Sequence, residues 1–396
     1  MDTEKKKLWN RDYILLFLAM ILMTTALTMN SAVITPYVVS MGYDLTIAGT
    51  IAGIMTIASM TARPVSGILG DIMVKKRVVF VTTMLAALVV LIMAFPISVI
   101  LLGLVRVVFG ILFSISTTVM MAMITDCVPE KQVGSGLGYY GVGLGVAQAI
   151  GPSIGFWTAN HFGYPAVYVL AAVLTSASAC CIAWLPAVAV RLELNRRRFS
   201  IKSVVAPELL PLIPGCFCIG AVLGVENSFL ALYAQSNGIA NVGWYFTLYG
   251  AAMIVIRLFT GKLIDRLPFT LAYYGGLTAI AATMLLFGVA EKAAFVPILV
   301  MTVIIRASGI GIVQPVLQSA CLRSVSPSQK SVASGMYYLG SDLGMGLTPI
   351  LGAKLYDLYS QSYPKMFVAL IVLPILSAII FAPFRGRILK NMQRRG

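Results

Sequence analysis

Four charged side chains stand inside long apolar runs of the chain: Arg106, Glu226, Arg306 and Asp342. An ionised group facing hydrocarbon costs about 3 kcal/mol or more at the centre of a bilayer helix, so each must face a partner or a water-filled cavity. A carboxylate in that setting is pulled two ways. Loss of water favours its protonated form, and a nearby guanidinium favours its ionised form. A molecule that changes water access between states can use that competition to take up a proton on one side and release it on the other. Counted along the runs, Asp342 lies near mid-depth and Glu226 nearer the outer end. Asp342 is therefore expected to carry the proton with Glu226 in reserve, and Arg106 and Arg306 are expected to act with them in coupling. Amides and aromatic rings recur in the same runs: Asn30, Gln148, Asn227, Tyr249, Gln314, Gln318, Tyr337 and Tyr338. Such a set suits a cavity for a moderately amphipathic organic solute, with two arginines able to hold a carboxylate.

The elements that position these groups follow from composition. Of 396 residues, 59% are apolar and 11% are Asp, Glu, Lys or Arg, with a mean hydropathy of +0.92. Soluble domains carry about 25% charged residues, so lipid must be the solvent for much of this chain. The net charge of +15 would suit a polyanion partner in a soluble protein. Here the basic residues fall in short breaks between apolar stretches, so no nucleic-acid partner is expected. Six cysteines without metal-site spacing read as small apolar fillers, and no metal or cofactor is expected. The single histidine, His161, falls in a short outer loop with no nucleophile and base arranged around it, which argues against an enzyme. Gly136-x-Gly138-x2-Gly141 has the glycine spacing of a dinucleotide fingerprint, but the strand and βαβ unit that give that spacing its meaning are missing.

With about 20 residues per crossing, apolar runs lie near 13–38, 45–69, 78–95, 98–124, 134–158, 165–188, 208–232, 242–264, 270–290, 295–320, 331–356 and 366–384. They are continuously apolar at helical length, where barrel strands would alternate over about ten residues. Twelve helices result. With both ends inside, 22 of the 29 Lys and Arg fall in inner loops and tails, against Lys292, Lys354 and Lys365 outside. Both termini are thus expected in the cytoplasm of a cell whose cytoplasmic membrane holds the chain.

The two halves echo each other. Arg63, Gly67 and Asp71 have the spacing of Arg257, Gly261 and Asp265; Arg106 is matched by Arg306; Pro129 and Tyr139-Tyr140 are matched by Pro327 and Tyr337-Tyr338, each 198 residues on. Matches in register imply a duplicated unit. The expected organisation is a first six-helix bundle over 1–188, a cytoplasmic linker over 189–207 and a second bundle over 208–396.

These residues resemble the major facilitator superfamily along the whole chain. Gly67-Ile-Leu-Gly-Asp71-Ile-Met-Val-Lys75-Lys76 keeps the first Gly, the Asp and the trailing basic residues of the signature between helices 2 and 3, and Gly261-x3-Asp265-Arg266 repeats part of it. The resemblance implies an all-α membrane protein, twelve transmembrane helices in two pseudo-symmetric bundles, working as a monomer among membrane lipid. It also implies a gating role for Gly67, Asp71, Gly261 and Asp265. Gly151-Pro152-x2-Gly155 is similar to the helix 5 motif of the antiporter branch and gives these three residues a part in gating as well. The expectation is a proton-coupled exporter of a small organic solute, drug or metabolite, by alternating access. The alternatives are a proton symporter importing a sugar, nucleoside or carboxylate, or a lipid flippase of the same fold.

Overall fold

The computed structural model describes residues 8–128, 133–185, 206–239, 241–264, 267–290, 294–326 and 330–395. Among them, helices run α1 Arg11–Ser40, α2 Leu45–Ile72, α3 Lys75–Ile92, α4 Val99–Cys127, α5 Val133–Phe162, α6 Tyr164–Ala183, α7 Ile213–Ser236, α8 Gly243–Ile264, α9 Phe269–Gly288, α10 Phe295–Arg323, α11 Lys330–Leu358, α12 Tyr363–Ala369, α13 Val372–Phe381 and α14 Arg385–Arg395. Every predicted span has its helix. Among the described residues, eight helical stretches are long and apolar enough to cross a membrane by length and composition alone. Of the others, α3 opens on Lys75-Lys76-Arg77 and α5 is diluted by glycine, serine and tyrosine.

Local chemistry sets the ends. Asn10 caps α1 by accepting from the Tyr13 amide at 2.8 Å, and Ser98 caps α4 by accepting from Leu101. Gly163 joins α5 to α6 at φ +81°, a left-handed conformation that glycine enters without a Cβ penalty. The last predicted span is two helices. Pro374 has no amide proton for the Leu370 carbonyl, and that carbonyl instead accepts from Leu373 at 3.1 Å, which breaks the rod between α12 and α13. His161 lies in the last turn of α5 rather than in a loop; its ring stacks on Trp157 and its Nδ1 is 2.8 Å from the Trp157 carbonyl oxygen.

The chain forms two compact units, Met1–Gly42 with Ile54–Asn195, and Tyr43–Gly53 with Arg196–Gly396. The predicted linker lies almost wholly outside the described residues. In the first unit α1 packs on α5, α6 and α4, and α3 packs on α4 and α6; in the second, α7 packs on α11, α13 and α10, and α9 packs on α10, α12 and α13. Shifted by six helices, one list becomes the other, with α12 and α13 together standing for α6. The second unit also holds the start of α2, where Thr46 donates to Asp357 at 2.6 Å and Gly53 leaves no room for a Cβ beside the Gly346 carbonyl.

α4 shows how a span divides between a packed face and an outward one. On α4, Leu102, Arg106, Phe109 and Gly110 are buried, while Ile100, Leu104, Val108 and Ile111 are exposed at helical spacing, as a lipid-facing stripe requires. Lipid offers no hydrophobic drive for helix to meet helix, so close packing and hydrogen bonds hold the bundle. Tyr13 donates to the Gly136 carbonyl at 2.7 Å and Ser178 to the Ala19 carbonyl at 2.7 Å, tying α5 and α6 to α1.

The glycines of α5 belong to this packing. Thr28 donates to the Ala147 carbonyl at 3.1 Å, and a Cβ placed on Gly151 would lie 2.0 Å from the Thr28 hydroxyl and 2.9 Å from the Thr25 carbonyl. Gly155 meets Met29 in the same way, with the Met29 carbonyl 2.9 Å from its ideal Cβ. Gly151→Ala is therefore expected to cost about 1–3 kcal/mol, the usual range for overpacking. The measurement is a lowered thermal unfolding midpoint in detergent, and an unchanged midpoint would contradict the close approach of α1 and α5.

Candidate functional site

Two buried arginines mark equivalent places in the two units. In the first, Arg106 on α4 is 1% exposed and its guanidinium donates to Asn30 Oδ1 on α1 at 3.1 Å. Asn30 is itself fully buried, its amide facing the Met93 sulfur. Tyr168 of α6 lies close enough to Arg106 to interact electrostatically, and its ring meets Tyr37 at 5.4 Å.

In the second unit, Arg306 on α10 is 1% exposed and forms an ion pair with Glu226 on α7, which is 0% exposed. The guanidinium also stacks over the Tyr249 ring, 3.7 Å from its centroid, an arrangement that favours a cation electrostatically. Tyr245, one turn before Tyr249 on α8, interacts with both members of the pair, and Thr302, one turn before Arg306 on α10, interacts with Tyr245. Three helices thus converge on one charge pair. The i, i+4 spacing places Tyr245 beside Tyr249 and Thr302 beside Arg306 on shared faces.

The two arrangements correspond helix for helix. The first and fourth helices of the first unit bring an amide to an arginine; the first and fourth helices of the second bring a carboxylate to an arginine. Of the two partners, only the carboxylate of the second is an acid that can exchange a proton.

The other candidates are distributed as follows. Asp342 is half-buried on α11 and has interaction partners of its own. Gln314 and Gln318 on α10 and Asn227 on α7 are half-buried, and Gln314 lies against the Tyr337 hydroxyl. Tyr337 is 2% exposed and meets Tyr338 edge-on at 5.2 Å; Tyr338 and Gln148 are exposed. Gly67, Asp71 and Gly261 lie on helices, at positions whose side-chain surroundings are outside the described residues, and Asp265 is itself outside them. A basic contact near Asp71 is visible: Lys75 at the start of α3 pairs with Asp126 at the end of α4 at 2.6 Å, and Lys76 donates to the Leu185 carbonyl. Among the described residues, no three of His, Cys, Asp and Glu come together as a metal site would require. Tyr245, Thr302, Tyr168 and Tyr37 were not among the predicted site residues; their spacing from Tyr249 and Arg306 was the available signal for the first two.

Two repeated helical units, exposed apolar stripes and buried charged groups are the features of a multi-pass membrane transporter. The family model for the Major Facilitator Superfamily matches residues 16–349 and 239–395, and the chain belongs to that family. It is similar to the staphylopine export protein of Staphylococcus aureus, 23% identical over 386 residues, covering 91% of this chain and 94% of that one. Among solved structures it is similar to the nucleoside transporter NupG, with a TM-score of 0.76 at 15% identity over 96% of this chain and 99% of that one. It is also similar to the peptide transporter POT in complex with sulfate, with a TM-score of 0.79 at 14% identity over 98% and 96%. The fold is the twelve-helix, pseudo-symmetric fold of the superfamily.

Proposed function

We propose that this protein is a proton-coupled carrier of a small polar organic solute, with Glu226 as the group that takes the proton and Arg306 as the cation released to the solute. The observation that carries the reading is the fully buried Glu226–Arg306 pair among Tyr245 and Tyr249. Protonation of Glu226 removes the charge that occupies Arg306, and the guanidinium then presents its fork of donors to a solute carboxylate or other acceptor. A proton at Glu226 and an acceptor at Arg306 favour each other's binding, because each relieves the cost of the other. Mutual favour of that kind is the thermodynamic requirement for moving both in one direction. A cationic solute would instead compete with the proton for Glu226, and competition is the requirement for exchange.

The pair therefore supports symport of an anionic or hydrogen-bonding solute, and the nucleoside and peptide transporters of similar fold are consistent with a polar solute of that size. Export is the second reading. It rests on Gly151-Pro152-x2-Gly155 in α5 and on the likeness to the staphylopine export protein. Purified protein in liposomes with an internal pH dye separates the two. Under symport, adding a transported nucleoside, peptide or carboxylate outside acidifies the lumen; under exchange it makes the lumen alkaline. No solute-dependent pH change across a panel whose uptake is shown by radiolabel would end the proton-coupled reading.

A further inference from the structure

The last helix of the chain was not anticipated as an element, and its surroundings form a site with no part in the charge pair. α14 follows the final membrane helix after the single 3-10 turn Ala382–Phe384, so it begins at the membrane border. Its eleven residues contain Arg385, Arg387, Lys390, Arg394 and Arg395 and no acid. Ile388 is 1% exposed and packs inward, while Arg385, Arg387 and Lys390 are exposed. Facing the helix is a second 3-10 segment, Pro207–Leu212, that leads into α7. Between them lies a groove of about 230 Å³, lined by Leu210, Pro211, Ile380 and Phe384 together with the charged residues Arg387 and Glu208.

We infer that this groove binds an anionic phospholipid of the leaflet that borders α14, the cytoplasmic leaflet under the topology expected from the loop charges. The combination fits one occupant. Leu210, Ile380 and Phe384 are exposed apolar walls at the end of a membrane helix, where an acyl chain begins. Arg387 lines the groove and, with Lys390 one turn further on the same helix face, supplies the charge for a phosphate. Arg387 and Lys390 against the one carboxylate among the lining residues, Glu208, leave the groove positive, so a headgroup with net negative charge is favoured over a zwitterionic one. Cations next to a membrane span attract anionic lipid electrostatically, each by about fivefold in affinity. The walls add shape to that attraction.

The test uses the full-length protein in mixed micelles with equal amounts of dioleoyl phosphatidylglycerol and dioleoyl phosphatidylcholine, with retained lipid counted by native mass spectrometry. Phosphatidylglycerol should be retained in excess. The triple variant Arg385→Gln, Arg387→Gln, Lys390→Gln should lose that excess, and Arg387→Gln alone should lower it about fivefold, which keeps the test usable if the triple variant folds poorly. Leu210→Trp fills the groove without touching a charge and should lower phosphatidylglycerol retention too. Equal retention of the two lipids by the unaltered protein would overturn the proposal. So would a phosphatidylglycerol excess that survives the charge substitutions, or one that Leu210→Trp leaves intact, since the lipid would then be held by diffuse surface charge rather than by this site.

Discussion

Glu226→Gln is expected to give a folded protein that still binds its solute and equilibrates it across the membrane, but no longer moves protons with it or accumulates it against a gradient. The substitution keeps the volume and a carbonyl oxygen able to accept from Arg306, and the guanidinium retains the Tyr249 ring beneath it. What disappears is the titratable charge. The measurement is paired: counterflow of labelled solute, which should persist, and accumulation driven by an imposed pH gradient, which should fall to the equilibrium level reached by the same liposomes without a gradient. Asp342→Asn is the necessary comparison, because Asp342 is the other acid that stands deep inside an apolar run of the second unit. If Asp342→Asn abolishes gradient-driven uptake and Glu226→Gln leaves it whole, the proton is carried on α11 and the buried pair is structural.

Much of the fold was legible because a membrane span is a matter of length and apolarity, which a sequence states directly. The runs at 98–124 and 295–320 became α4 and α10 within a few residues. What the runs concealed was a break inside one of them. The span predicted at 366–384 stays apolar through Pro374, so hydropathy runs on where the hydrogen-bond ladder does not. α14 was hidden for the opposite reason. Five cations in eleven residues read as loop charge, and the apolar face that makes them a helix is only Ile388, Leu389 and Met392.

The site was legible in its members and not in its pairing. Arg106, Arg306 and Glu226 could be singled out because charge in an apolar run is costly wherever the helix turns it. Their partners depend on which helices meet, and Glu226 and Arg306 are eighty residues apart in the chain. Depth counted along isolated runs ranked Asp342 first; the packing of α7 against α10, with α8 contributing Tyr245 and Tyr249, gives Glu226 a cation at contact distance. The internal repeat held the better clue. Asn30 lies on the first helix of its unit and Glu226 on the first helix of the other, and both meet the arginine of the fourth helix. The absence of a deep acid from the first span, and its presence on the seventh, is a difference between two copies of one arrangement.

That correspondence leads to the second large effect, on stability rather than transport. Removing one member of a buried ion pair typically costs about 3–5 kcal/mol, because the survivor remains buried with its charge uncompensated. Arg306→Gln is therefore expected to lower the thermal midpoint sharply, since Glu226 loses the cation it is paired with. Adding Glu226→Gln should restore most of that loss. The double variant places two amides where the first unit already tolerates an amide, Asn30, between the equivalent helices. Its midpoint should return close to that of the unaltered protein, while gradient-driven uptake stays absent. A double-mutant cycle on thermal unfolding reads the coupling directly. If the two losses simply add, the carboxylate and guanidinium do not depend on each other, and the pairing of α7 with α10 through these charges is not what holds them in the membrane.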